Sequence, residues 1–172
     1  ERLRSSDLSA LPSVEGRIGA PIAKPSLILC VGLNYVDHAN ESSMKVPEEP
    51  ILFTKAPNCL VGPYDDVLTP RGATTVDYEV ELAVVIGRQC RYLELPVQAM
   101  DHLAGFTIAN DVSERTFQLE RGGGQWIKGK SCETFNPCGP YLANTDEVDL
   151  DELAKAKVAV GLVATCGQGA LP

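Results

Sequence analysis

The sequence predicts a strand-rich α+β domain with many short connections. Apolar runs of strand length recur along the chain, and 15 glycines and 12 prolines separate them and leave little room for long helices. The 172 residues are about the length of one domain, and 44% of them are hydrophobic, which is enough for a buried core.

Four apolar segments carry the strand prediction. Residues 27–33 and 103–109 are continuous apolar runs typical of buried strands, and residues 51–53 resume as a strand after two prolines. Residues 76–86 are the strongest candidate, because strict alternation gives way to a continuously apolar end. This pattern predicts one strand that runs from a half-exposed edge into the interior.

The segments between these strands predict short helices and loops. Residues 95–102 have a helical pattern after Pro96, and residues 110–119 could open a helix. Residues 121–125 form a Gly-rich loop, which is either a lid segment or a plain flexible connection.

Charge and cysteine content exclude several classes of protein. Fifteen basic against 23 acidic residues give a net charge of −8, which argues against a basic surface that binds nucleic acid. The apolar runs are far shorter than the roughly 20 residues that span a bilayer, so we expect no membrane partner. The six cysteines have no C-x-x-C spacing, which argues against a zinc site. A chain of this size and apolar content does not need disulfides, which favours reduced thiols in a cytoplasmic protein; an organellar matrix stays open.

Acidic residues alternate along the strongest predicted strand. Asp77, Glu79 and Glu81 would share one face of it, where a divalent cation such as Mg²⁺, Mn²⁺ or Ca²⁺ would turn their repulsion into coordination. The alternative is a solvated outer face of a sheet. Asp111, at the end of the next strand, could complete such a site, or it could form a capping box with Glu114.

Histidine is rare in this chain. His38 and Glu41 have the i, i+3 spacing that would let a carboxylate orient an imidazole as a general base, although a surface histidine is the alternative. His102 has no partner visible in the sequence, and we interpret it as structural.

Residues 124–131 match the P-loop pattern G-x-x-x-x-G-K-[ST]. A P-loop needs a strand before it and a helix after it, whereas glycines precede this segment and prolines follow it. We therefore interpret the match as chance and keep nucleotide binding as a minor alternative.

Taken together, the motifs of residues 26–148 resemble the fumarylacetoacetate hydrolase family. The segments that carry the resemblance follow the family's order: Val31-Gly32-Leu33-Asn34-Tyr35 with His38 and Glu41, Pro50-Ile51-Leu52-Phe53-Thr54-Lys55, Val76-Asp77-Tyr78-Glu79-Val80-Glu81-Leu82, Ala104-Gly105-Phe106-Thr107, Asn110-Asp111-Val112-Ser113 with Arg115 and Gln118, Gln125-Trp126, Gly129-Lys130-Ser131 and Gly139-Pro140. The resemblance implies a mixed-sheet roll with a few short helices, and a homodimer.

The resemblance also implies a function. Family members are divalent-metal-dependent enzymes, with Mg²⁺ or Mn²⁺, that act on small anionic 2-oxo or enol acids by acylpyruvate-type C–C hydrolysis, decarboxylation or isomerisation. Carried over residue by residue, the metal ligands would be Glu79, Glu81 and Asp111, with Asp77 left out. The catalytic residues would be His38, Glu41 and Lys130, and Arg115 and Gln118 would bind substrate oxygens.

The C-terminal segment departs from the family pattern. The family's later Asn-Gly turn and Gly-Thr-Pro segment do not occur, and residues 149–172 do not align with it. We therefore expect residues 1–25 to form an N-terminal arm and residues 26–172 a catalytic domain without the C-terminal part of the family domain. The alternative function is a truncated, non-catalytic relative that binds a metal or a ligand.

Overall fold

A five-stranded mixed sheet organises the chain. The computed structural model describes residues 7, 9, 11–13, 15–32, 47–153 and 163–166, the last four by their backbone alone. The strands of the sheet are β1 (Leu27–Gly32), β2 (Ile51–Lys55), β5 (Val80–Ile86), β6 (Leu103–Asn110) and β9 (Val163–Cys166), and their order is β2-β1-β9-β5-β6.

The central strand comes last in sequence. Strand β9 pairs antiparallel with β1 and parallel with β5, while β1–β2 and β5–β6 are antiparallel neighbours. It therefore joins two antiparallel pairs that are formed by distant parts of the chain.

Two short ladders and several short helices complete the fold. Strand β3 (Leu60–Val61) pairs parallel with β8 (Asn136–Pro137), and β4 (Val76–Asp77) pairs antiparallel with β7 (Ser113–Glu114). Between residues 47 and 153, the helical segments are two 3₁₀ helices (Pro57–Cys59 and Pro96–His102), one π-helical turn (Thr116–Glu120) and the four-residue helices α1 (Ile127–Lys130) and α2 (Leu150–Leu153). Among the described residues, no helix has the length and apolar composition needed to cross a bilayer.

The core is built from small side chains. Ile28 and Cys30 of β1, Ala83 of β5 and Ala109 of β6 form one buried cluster with Cys138. A second cluster contains Cys59, Val112 and Phe135. All five cysteines whose side chains are described are free thiols.

Most predicted strands are confirmed, and one is divided. Strands β1, β2 and β6 lie where the apolar runs predict them, and residues 96–102 are helical. The prediction of one continuous strand over residues 76–86 is wrong, because the chain leaves one ladder at Asp77 and enters another at Val80. The helix expected over residues 110–119 is also wrong in its first half, where β7 forms instead.

Candidate metal centre

The two strands β5 and β6 bring three carboxylates together at one end of their ladder. Glu81 is the second residue of β5 and stands opposite Ala109, Glu79 lies just before β5, and Asp111 lies just after β6. The Asp111 amide donates to the Glu79 carbonyl at 2.8 Å, so the backbone fixes the relative position of these two residues.

One carboxylate oxygen from each of Glu79, Glu81 and Asp111 lies within 4.8 Å of the others. Asp111 is fully buried, Glu81 is 4% exposed, and Glu79 is half-buried. Like charges at this distance repel strongly where water is scarce, so the arrangement needs cations to hold it. The alternative of a solvated acidic face is therefore wrong for Glu81.

Two lysines and an arginine supply positive charge. Lys130 Nζ donates to Glu79 Oε2 at 2.9 Å and to Asp111 Oδ2 at 2.7 Å. Lys55 Nζ donates to Asp111 Oδ1 at 2.5 Å and to the Val112 carbonyl at 3.1 Å. Arg115 Nη2 lies 2.6 Å from Glu79 Oε1. The capping-box interpretation of Asp111 is wrong, since both of its oxygens bind lysines.

The Glu81 carboxylate lacks a complete set of partners. Its Oε2 is buried and has no hydrogen-bond partner among the described residues. Burial, together with the nearby charges of Asp111 and Glu79, raises the pKa of Glu81 to about 9. A buried oxygen without a donor, next to two further carboxylates, is the hard oxygen donor set that Mg²⁺, Mn²⁺ and Ca²⁺ take. The residues present therefore fit a divalent cation.

Arg115 is held between two acidic residues and a glutamine. Its Nη2 also donates to Asp77 Oδ2 at 2.7 Å, and its Nη1 donates to Gln118 Oε1 at 3.1 Å. Although partial burial opposes it, pairing with Arg115 lowers the pKa of Asp77. Asp77 thus orients Arg115 and is outside the group of carboxylates that could hold a metal ion.

Close packing of α1 places Lys130 at the carboxylates. A Cβ on Gly129 would lie 2.4 Å from the Glu114 carbonyl oxygen and 2.6 Å from Gln118 Cβ, so only glycine lets α1 approach the 116–120 turn this closely. Burial alone would lower the pKa of Lys130, but Asp111 and Glu79 outweigh it and raise that pKa. Because Lys130 faces carboxylates and no strand directly precedes the loop, the P-loop context is missing.

A cavity of about 360 Å³ lies between β2 and residues 124–127. Phe53 and Trp126 line it and pack edge to face at 5.3 Å between ring centroids. Lys130 Nζ lies 5.1 Å from the Phe53 ring, so this cavity is next to the cluster of charges.

Most of the site residues considered from the sequence lie together. Contacts join Glu79, Asp111, Lys130, Arg115 and Gln118, and Glu81 lies beside them. His38 and Glu41 lie outside the described residues. The role of Lys55 was missed; the available signal was a lysine at the end of an apolar strand, which must be either exposed or paired.

Comparison with known proteins agrees with the resemblance drawn from the motifs. Residues 27–163 match the family model described as fumarylacetoacetate (FAA) hydrolase C-terminal. The expectation that the chain departs from the family from residue 149 onwards is therefore wrong as far as residue 163. Over 147 residues the chain is 47% identical to the human protein named oxaloacetate tautomerase FAHD2A, mitochondrial, and the match covers 86% of this chain and 46% of that protein. The chain spans about half the length of the curated relatives it matches.

Solved structures give the same assignment. The 5-carboxymethyl-2-hydroxymuconate delta-isomerase from Mycobacterium smegmatis is 31% identical with a TM-score of 0.66, covering 87% of this chain and 69% of that one. The fumarylacetoacetate hydrolase from Exiguobacterium antarcticum is 29% identical with a TM-score of 0.71, covering 95% and 71%. The family model, the identities and the shared mixed α+β fold together make this chain a member of the fumarylacetoacetate hydrolase family.

Proposed function

We propose that this chain is a divalent-metal-dependent enzyme that acts on small 2-oxo or enol acids. The observation that carries the proposal is the buried group of Glu79, Glu81 and Asp111, in which Glu81 Oε2 has no partner among the described residues. Relatives named as a tautomerase, an isomerase and a hydrolase support a chemistry in which an enol or enolate forms next to a carbonyl.

The metal would be held by Glu79, Glu81 and Asp111. When bound, Mg²⁺ or Mn²⁺ supplies a Lewis acid that polarises the substrate carbonyl and helps to hold the oxo acid. Glu79 Oε2 and Asp111 Oδ2 both accept from Lys130 Nζ, so these two oxygens already lie close to one point of positive charge.

Lys130 would stabilise the oxygen on which negative charge develops. Its ammonium group is 2% exposed and fixed by two carboxylates, so it needs little reorganisation as charge moves towards it. Arg115 and Gln118 would bind the substrate carboxylate, because a guanidinium recognises a carboxylate through two parallel hydrogen bonds. The two side chains are already in contact, since Arg115 Nη1 donates to Gln118 Oε1 at 3.1 Å.

His38 and Glu41 would carry the proton transfer. An imidazole oriented by a carboxylate is a base whose strength suits proton abstraction, or the activation of water, near neutral pH. For C–C hydrolysis of an acylpyruvate this pair would activate water, and for decarboxylation or isomerisation it would move a proton on carbon. The fold is compatible with each of these reactions.

A non-catalytic relative that binds a metal or ligand is the second candidate. It is favoured by one observation, which is that the group of Glu79, Glu81 and Asp111 can bind a cation whether or not turnover follows. Such a protein would bind the cation and the oxo acid without turning the acid over.

The two candidates are separated by assaying oxaloacetate enol–keto conversion and acetylpyruvate cleavage with Mn²⁺ or with a chelator. The enzyme proposal predicts turnover that needs Mn²⁺ and falls at least about 100-fold in Glu79→Ala and Asp111→Ala. Asp101→Asn, which changes an exposed carboxylate of the 96–102 helix, is the control and should keep full activity. Mn²⁺ binding without turnover of either acid would support the second candidate and contradict the first.

A further inference from the structure

We propose that Lys55 determines which divalent cation this centre prefers. By occupying one oxygen of Asp111, it favours a small octahedral cation such as Mg²⁺ or Mn²⁺ over Ca²⁺. The inference rests on the metal site of the proposed function and concerns a residue to which the sequence analysis assigned no role.

Lys55 is committed to Asp111 by its geometry. Its Nζ donates to Asp111 Oδ1 at 2.5 Å and to the Val112 carbonyl at 3.1 Å, and neither ionised side chain has any exposed surface. Releasing Oδ1 would leave a buried ammonium without its counter-charge, which is strongly unfavourable. Lys130 binds Oδ2, but it also pairs with Glu79, whereas Asp111 is the single carboxylate that pairs with Lys55 among the described residues. Oδ2 is therefore the Asp111 oxygen that a metal can take at the lower cost.

Glu79 is restricted in the same way. Its Oε1 lies 2.6 Å from Arg115 Nη2, while its Oε2 and Asp111 Oδ2 both contact Lys130 Nζ. Arg115 is 31% exposed, so water can replace it at Glu79, whereas no solvent reaches Lys55. The constraint at Asp111 is consequently the more permanent of the two.

The number of oxygens available separates the two kinds of cation. Ca²⁺ takes about six to eight oxygens and often binds a carboxylate through both of its oxygens, whereas Mg²⁺ needs about six in a compact octahedron and keeps several waters. With Asp111 limited to a single oxygen, the site offers Ca²⁺ one bidentate carboxylate fewer, and Glu81 is left to supply that kind of contact. The same site meets the needs of Mg²⁺ and Mn²⁺ with water completing the shell.

A purely structural role for Lys55 predicts a different outcome. If the lysine only neutralised Asp111 or supported the fold, its removal would change the affinities for all divalent cations by a similar factor. The ratio of the Mg²⁺ affinity to the Ca²⁺ affinity therefore separates the two roles, and its measurement requires no substrate.

The test is calorimetric titration of the full chain with Mg²⁺, Mn²⁺ and Ca²⁺. We expect the wild-type protein to bind Mn²⁺ and Mg²⁺ at least about tenfold more tightly than Ca²⁺, and Lys55→Met to narrow that preference about tenfold. Lys55→Arg keeps the positive charge of the side chain and should retain the preference for Mg²⁺ and Mn²⁺. Circular dichroism establishes that each variant is folded.

Lys130→Met is the matched control, because it removes the other lysine bound to Asp111. Lys130 contacts oxygens offered to the metal, so its removal should tighten all three cations by a similar factor and leave the ratio unchanged. An unchanged ratio in folded Lys55→Met, or a wild-type protein that binds Ca²⁺ as tightly as Mg²⁺, would overturn the inference and leave the proposed function standing. If the wild-type protein bound no divalent cation, the proposed function itself would fail.

Discussion

Glu81 has an environment unlike that of an ordinary surface carboxylate. It is 4% exposed, one of its oxygens is buried without a partner among the described residues, and two other carboxylates lie nearby. These conditions favour its protonated form, so its pKa rises from 4.5 to about 9. A bound cation reverses this preference, because a metal ligand must be deprotonated.

The raised pKa predicts how the stability of the metal-free protein depends on pH. Below about pH 4.5 Glu81 is protonated in both folded and unfolded states, and between 4.5 and 9 the unfolded chain ionises first. The folded state then holds more protons, so stability falls as pH rises, by at most about 1.4 kcal/mol per pH unit from this group. Urea unfolding in a chelating buffer from pH 5 to pH 9 measures the slope.

Glu81→Gln is the control for this prediction. The amide keeps the shape of the protonated acid and removes its ionisation, so the decline in stability with pH should become smaller. Equal slopes in the wild-type protein and in Glu81→Gln would contradict the assignment of this proton to Glu81.

Residue identity predicted part of the site. The alternation along one predicted strand and the end of the next indicated Asp77, Glu79, Glu81 and Asp111 as candidates. The exclusion of Asp77 and the role of Lys130 followed only from the family resemblance. The choice between a metal ligand and a helix cap for Asp111 could not be made locally, because both use a carboxylate before Ser113 and Glu114. The contact with Lys55, 56 residues away in sequence, decides against the cap.

At the scale of elements, periodicity predicted strands but not their partners. Residues 76–82 alternate without interruption, yet Asp77 pairs with Ser113 of β7 while Glu81 pairs with Ala109 of β6. The change of partner occurs around Glu79, whose backbone N–H donates to Asn110 Oδ1 at 3.1 Å and not to a strand carbonyl. Alternation reports only which faces side chains occupy, so it cannot reveal such a change.

Gly129 gives a second example of a pattern explained by packing. In a P-loop the corresponding glycine serves phosphate binding, but here it lets α1 approach the Glu114 carbonyl and Gln118. The match to the P-loop pattern at Gly129 therefore reflects the close packing of α1 and not phosphate binding.

This packing predicts a loss of stability in Gly129→Ala. The added methyl group would lie 2.4 Å from a backbone oxygen and 2.6 Å from the Gln118 amide nitrogen, neither of which can move freely. Overpacking of this kind typically costs about 1–3 kcal/mol, which urea unfolding can measure. Gly19→Ala is the matched control, since the nearest atom to its new Cβ is 3.9 Å away. Similar stabilities for the two variants would contradict the packing argument.

At the scale of the whole molecule, the sheet depends on pairings between distant segments. Strand β9 connects β1 to β5, although none of the motifs that carry the family resemblance lies in residues 149–172. Apolar content alone does not specify which strands become neighbours, so the order β2-β1-β9-β5-β6 could not be derived from the sequence. The fold class could be derived, because short apolar runs separated by glycine and proline leave few alternatives.

The central claim is that this fold brings Glu79, Glu81 and Asp111 together to bind one divalent cation. Counting bound Mn²⁺ by electron paramagnetic resonance in the wild-type protein, Glu81→Gln and Asp77→Asn tests it most directly. We predict that the wild-type protein binds one Mn²⁺ per chain and that Asp77→Asn binds Mn²⁺ with an affinity within about threefold of the wild-type value. The Mn²⁺ affinity of folded Glu81→Gln should be at least about 100-fold lower. Equal Mn²⁺ binding by Glu81→Gln and the wild-type protein would contradict the account.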